Sequence, residues 1–457
     1  MKANYLSGSD FALIASMWML IAFGDSFVQA GLPQLIIKKD TITTSILTHY
    51  LVVNYAYSIA YFLFVGLALP FIQMVYHFER LDVIGVAFMS IFIGIPTFLL
   101  KPILEKELRY GKFTLINSSV LFVNITVGSI LLFLGFKIYS IFIARICSSL
   151  VDFLMTYIVV KKTNPDLFIL PKDFRISGLL TQNRSDIIYG VQISGRRLVN
   201  ILSNKLDEFL VGFMFSGEEL GIYYFAKDIY FKIINLLNSS VSKILLPVFS
   251  ITKARLDKST LVYSQFIKLI TYLGVPIIVI MLIAPSHIIR ILFSDKWIDS
   301  SQIFQYLSIG MLFALITSNI TTSLLTIHGR AKDILVIEAR TVLLYIFSLG
   351  SIVIFKLNIS IIIIVLLLDA KMILISLQNH NKCLNVLHIK KMQFILNNFN
   401  LVTFTFIIFL AVSLILTRVQ LNTPYDLIKI IVGTYIVGAI TVYISDKKSV
   451  YLIFKRR

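Results

Sequence analysis

Charged residues set inside apolar segments are the places where this sequence could do chemistry or move a solute. The densest group lies in Asp186–Asp228, where Arg196, Arg197, Lys205, Asp207, Glu208, Lys227 and Asp228 interrupt aliphatic and aromatic runs. At 3.6 residues per turn, Gln192, Arg196, Asn200, Ser203 and Asp207 share one helix face, and Leu198, Ile201, Leu202, Phe209 and Leu210 cover much of the rest. Guanidinium groups make forked hydrogen bonds to phosphate oxygens and stay charged, so Arg196 and Arg197 suit a pyrophosphate. They equally suit neutralising Asp207 or Glu208. Lys205 and Asp207 suit an interhelical ion pair as readily as ligand contact.

Three further stripes follow the same logic. Arg145, Ser149 and Asp152 stand at i, i+4 and i+7, either as a second wall of a cation-lined chamber or as a salt bridge between helices. Asp228, Lys232, Asn235 and Ser239 form another. Asp25 and Gln29 lie one turn apart, and Asp25 suits a coupling proton or a hydrogen-bonded structural acid. Charges at bilayer depth cost several kcal/mol, so they line cavities or pathways rather than face lipid. The expected chamber is lined by Arg145, Arg196, Arg197, Lys205 and Lys232. Asp25, Asp152, Asp207 and Asp228 are its coupling or structural acids.

The elements that must position these residues are membrane spans. Hydrophobic residues make up 57% of the 457 and charged residues 14%, well under the charged share of about 25% in soluble domains. Apolar runs of about 20 residues recur from end to end. They predict 13 spans near 10–36, 45–70, 81–104, 113–136, 138–160, 187–214, 221–247, 263–293, 302–327, 333–355, 359–380, 394–417 and 427–445. The expected fold is an all-α polytopic membrane protein.

The net charge of +18 concentrates in short loops, which argues against nucleic acid as a partner. One set of alternate loops holds Lys38 and Lys39, Lys101 to Lys112, Lys161 to Arg184, Lys253 to Lys258, Arg330 and Lys332, Lys382 to Lys391, and the C-terminal cluster. The other holds only Lys2, Arg80, Lys137, Lys296, Lys356 and Arg418. The rich side is expected in the cytoplasm, together with the C-terminus. Cys147 and Cys383 are too few for a disulfide framework, and the six histidines lack metal-ligand spacing, so no metal or cofactor is expected.

An internal repeat organises the chain. Leu6-Ser7-Gly8-Ser9-Asp10 resembles Phe215-Ser216-Gly217-Glu218-Glu219, and Leu69-Pro70 resembles Ala284-Pro285 at a similar offset. Two parallel, pseudo-symmetric halves follow, with extra C-terminal helices. The expected division is an N-terminal lobe (1–160), a cytoplasmic linker (161–186), a C-terminal lobe (187–386) and the C-terminal helices with a basic tail (387–457). The first half has no counterpart of the 187–214 span ahead of its own Ser-Gly turn. A lost first helix or an upstream start is therefore expected.

Four patches carry a resemblance to a known family: Ser9–Thr43, Leu206-Asp207 through Gly221-Ile222-Tyr223, Leu246-Pro247-Val248-Phe249-Ser250, and Phe293-Ser294-Asp295-Lys296-Trp297. In order and spacing they resemble polysaccharide flippases of the MOP superfamily. The resemblance implies export of undecaprenyl-pyrophosphate-linked O-antigen, capsule or exopolysaccharide repeat units across the bacterial inner membrane by alternating access. Its implied partners are the lipid-linked oligosaccharide, membrane lipids, a polysaccharide polymerase and a chain-length regulator. A MATE-like drug or cation antiporter of the same superfamily remains open, as does, from another class, a membrane-embedded polysaccharide polymerase or ligase. No catalytic motif appears, so the chain is not expected to be an enzyme.

Overall fold

A computed structural model describes residues 5–39, 41–76, 82–168, 197–198, 201, 203–317, 320–355, 359–418 and 423–445. Among the described residues all regular structure is helical, as the sequence predicts. The chain forms two compact units, Met1–Gly221 and Ile222–Arg457. These report packing; the expected lobes at 160, 186 and 386 concern pseudo-symmetry and remain a reading of the sequence.

In the first unit the order is α1 (Gly8–Gln29), α2 (Leu32–Lys38), α3 (Thr44–Tyr76), α4 (Asp82–Lys106), α5 (Tyr110–Phe133), α6 (Tyr139–Thr163) and helical residues 203–214, here α7. Helix α4 is the hub, with α1, α2, α3, α5 and α6 all packed on it. Its sequence explains this. Leu99, Leu100, Ile103 and Leu104 form one apolar face, buried with Leu35 and Ile36 of α2, Leu47 and Tyr50 of α3, Ile116 of α5 and Val160 of α6. Ser90, Gly94, Thr97, Lys101 and Glu105 recur at helical spacing on another face. Lipid-facing surfaces stay apolar, as on α5, which exposes Leu115, Leu121, Phe122 and Ile125.

The second unit contains most of α8 (Gly217–Thr252), then α9 (Leu256–Ile283), α10 (Pro285–Leu292), α11 (Ser300–Thr317), α12 (Ile320–Ile327), α13 (Ala331–Ile354), α14 (Ile361–Val386), α15 (Lys391–Asn397), α16 (Phe399–Arg418) and α17 (Pro424–Ser445). Helix α11 packs between α9 and α14, and α13 lies on α14. Trp297, at the end of the fourth family-like patch, is buried and stacks on Phe225 of α8 at 4.1 Å between ring centroids.

Nine helices among the described residues are long and apolar enough to cross a membrane, or ten with the pair Ser300–Met311 and Phe313–Ile327, bent by 43°, counted as one span. The described residues do not confirm the expected count of 13. The first part of span 187–214, residues 187–196, falls outside the described residues. The 221–247 span lies in the 36-residue α8, which carries Lys227, Asp228 and Lys232. The 394–417 span is divided between α15 and α16, with a shorter apolar core at Thr403–Ile415.

The repeated Ser-Gly-acid motif has a structural cause. Ser7 caps α1: its hydroxyl accepts from the Asp10 amide at 3.1 Å, and the Asp10 carboxylate accepts from the Ser7 amide at 2.9 Å. Ser216 and Glu219 make the same reciprocal pair at the start of α8, at 3.3 and 3.0 Å. Each motif satisfies two amides that the first helical turn leaves unpaired. The two caps meet: a Cβ added to Gly221 would run into the Gly8 carbonyl. Since that obstacle is backbone, Gly221→Ala is expected to destabilise the protein by about 1–3 kcal/mol, read from unfolding in detergent.

Candidate functional site

A cavity of about 620 Å³ opens among α1, α2, α4, α5 and α6 of the first unit, with Arg197 on its wall. Its floor is set by how α1 ends. The helix stops at Ala30, in the left-handed region at φ 47°, followed by Gly31 at φ 67°. Pro33 then starts α2. This break brings Gln29 from one helix and Gln34 from the next to the same guanidinium. Arg197 Nη1 donates to Gln29 Oε1 at 2.6 Å. The Gln34 amide, turned to accept from Arg197 Nη2, also donates to the Gly31 carbonyl at 3.2 Å.

Arg145 is fixed from three sides. Its Nη2 lies 3.0 Å from Asp25 Oδ2, its Nε donates to Ser90 Oγ at 2.9 Å, and its guanidinium carbon sits 4.9 Å from the centre of the Trp18 ring. Asp25 reaches it because α1 approaches closely at Gly24, where a Cβ would meet Tyr61 at 2.7 Å and Ile91 at 2.8 Å. Two turns along α6, Asp152 accepts from Lys101 Nζ at 2.8 and 2.9 Å. Asn124 of α5 donates to Ser148 at 3.2 Å. Both ion pairs lie on the cavity wall, so the stripe on α6 serves as salt bridge and chamber wall together.

The lining carries three cations, Lys101, Arg145 and Arg197, and three acids, Asp25, Glu105 and Asp152. Within this unit, then, the lining is mixed in charge and not cationic alone. Ions held inside a bundle recruit counter-ions, and here each inner acid has a basic partner. Arg197 differs, because its hydrogen bonds go to neutral amides. Glu105 lies one turn beyond Lys101, in the last turn of α4.

The remaining expected residues fall elsewhere. Arg196 lies outside the described residues. Lys205 pairs with Glu208 at 2.8 Å within α7, and Asp207 is fully buried; neither lines this cavity. Lys232, in the second unit, is 73% exposed and pairs with Asp228 one turn away. Lys101 was expected in a basic loop and instead lies inside α4. The polar spacing Ser90, Gly94, Thr97, Lys101, Glu105 was the signal for it.

Residues 3–302 match the model of the family described as polysaccharide biosynthesis protein, a stretch that includes every helix lining the cavity. The chain belongs to this family. It is 28% identical over 154 residues to the teichuronic acid biosynthesis protein TuaB of Bacillus subtilis (strain 168), a match covering 34% of this chain and 32% of that protein. Aligned residues thus span about a third of that relative's length. Among solved structures, the lipid II flippase MurJ in an inward closed conformation is similar over 98% of this chain and 95% of that one, with TM-score 0.68 and 18% identity. An inward-facing MATE family multidrug transporter of the MOP superfamily is similar over 84% and 91%, with TM-score 0.56 and 12% identity. At such identities the likeness concerns fold, and this family member has the fold of MOP transporters. It is a multi-pass membrane protein.

Proposed function

We propose that this protein moves undecaprenyl-pyrophosphate-linked oligosaccharide repeat units across the bacterial inner membrane by alternating access, for O-antigen, capsule or exopolysaccharide assembly. The observation that carries the reading is the polar cavity within the helices, with one guanidinium held by amides and thus available to an anion. Arg197 and Arg145 face the pyrophosphate, and Arg145 and Lys101 also hold the wall through their acid partners. The prenyl chain stays in lipid, against the apolar outer helix faces. No bond is made or broken, so the protein acts as a carrier and not as an enzyme. The basic loops face the cytoplasm in this orientation, and the C-terminus lies there. A polymerase and a chain-length regulator take up the exported unit.

Family membership and the fold shared with a lipid II flippase support a lipid-linked cargo. A drug or cation antiporter would call for acids free of basic partners in mid-cavity; Asp25 and Asp152 are both paired. The test is reconstitution into vesicles with a fluorescent undecaprenyl-pyrophosphoryl sugar in both leaflets. The expected result is loss of protection of the inner-leaflet pool from an external quencher. Full protection, with the protein correctly folded, would reject the reading.

A further inference from the structure

A second cavity, of about 320 Å³, lies in the other unit, at the turn between α12 and α13 and the end of α14. Its walls carry His328, Arg330, Asp333, Lys382, Asn385 and His388. Two of these side chains bear fixed positive charge, two are imidazoles, and one is a carboxylate. Asp333 does not saturate the cations: Arg330 Nη1 is 3.7 Å from its Oδ2 and Lys382 Nζ 3.5 Å from its Oδ1. Charge-assisted hydrogen bonds close to about 2.7–2.9 Å, so donors remain on both groups. His328 Nδ1 lies 3.0 Å from the Leu324 carbonyl and therefore carries the proton that it donates. Its Nε2 is buried without a protein partner. His388 is held at the cavity by a left-handed backbone, φ 55°, just past the end of α14. Arg330 occupies the N-cap of α13 and makes no capping bond with its side chain, so the start of that 24-residue helix adds partial positive charge.

We propose that this cavity is a second anion site, binding a phosphoryl group through Arg330, Lys382 and His388, with Asp333 as the internal competitor the ligand displaces. In the proposed orientation it opens to the cytoplasmic face, where phosphate arrives either as a free anion or on a lipid headgroup. The site is separate from the Arg197 cavity and does not depend on what that cavity carries.

The test uses the purified full chain and inorganic phosphate at constant ionic strength, following the unfolding midpoint. The expected wild-type result is a saturable rise in midpoint. In Arg330→Gln/Lys382→Gln the half-saturating phosphate concentration should rise about tenfold or more. In Asp333→Asn it should fall several-fold, a gain that misfolding does not produce. Equal phosphate responses in all three proteins, or a weaker response in Asp333→Asn, would overturn the site. Phosphatidylcholine vesicles with and without phosphatidylglycerol separate the sources. If phosphatidylglycerol raises the wild-type midpoint, but not that of the double variant, and abolishes the phosphate response, the ligand is a headgroup. If phosphate still acts in its presence, the ligand is the free anion.

Discussion

Arg145→Ala is expected to abolish export of surface polysaccharide in a strain depending on this chain, and to destabilise the protein by about 2 kcal/mol. That magnitude lies between exposed ion pairs, at about 0–1 kcal/mol, and fully buried ones, at about 3–5 kcal/mol. The pair with Asp25 belongs in between, since its side chains are 22% and 28% exposed. Three contacts go at once: the Asp25 carboxylate, the Ser90 hydroxyl and the Trp18 ring. Asp25 Oδ1 already lacks a hydrogen-bond partner, so removing the arginine leaves the whole carboxylate uncompensated between α1 and α4. Asp25→Asn in the Arg145→Ala background removes that orphan charge. The double variant is expected to regain most of the stability and none of the export. Unfolding in detergent and surface polysaccharide, measured on the same variants, separate the two roles. Export restored along with stability would make Arg145 a purely structural residue.

How much of this was legible in the sequence depends on range. The stripe Arg145, Ser149, Asp152 needs only helical spacing within α6, and it does line the cavity. The motif at Ser7 and Ser216 was visible as a repeat, but its cause, two capping boxes that meet where Gly8 lies against Glu218, required the fold. Lys101 was assigned to a loop because it stands near Lys106 and Arg109 at the end of an apolar run. Only the packing of α4 on α6 brings it to Asp152 and gives this half-buried lysine its counter-ion. For Lys232 the sequence already held a local partner: Asp228 stands one turn before it and pairs with it at i, i+4. Arg197 was chosen because a guanidinium within an apolar segment suits a pyrophosphate. Its partners could not be read, because Gln29 and Gln34 converge only through a helix break in which Ala30 as well as Gly31 takes the left-handed conformation.

Arg197→Ala is expected to leave the unfolding free energy within about 1 kcal/mol of wild type, because its hydrogen bonds go to neutral amides and the cavity lets water replace it. Binding of an undecaprenyl-pyrophosphoryl sugar should nonetheless weaken about 100-fold, the loss of two charge-assisted hydrogen bonds at about 1.4 kcal/mol each. Arg197→Lys keeps a point charge without the fork and should recover about tenfold of that loss. Gln29→Glu is the sharper variant. It leaves the arginine in place and puts a carboxylate where Gln29 Oε1 now accepts at 2.6 Å. If availability of the guanidinium is what matters, Gln29→Glu should bind about as poorly as Arg197→Ala while being at least as stable as wild type. Equilibrium binding to the purified variants decides it. Wild-type affinity in Gln29→Glu would mean that cargo does not meet Arg197, because an anion entering there would face a neutralised pair in place of a free donor.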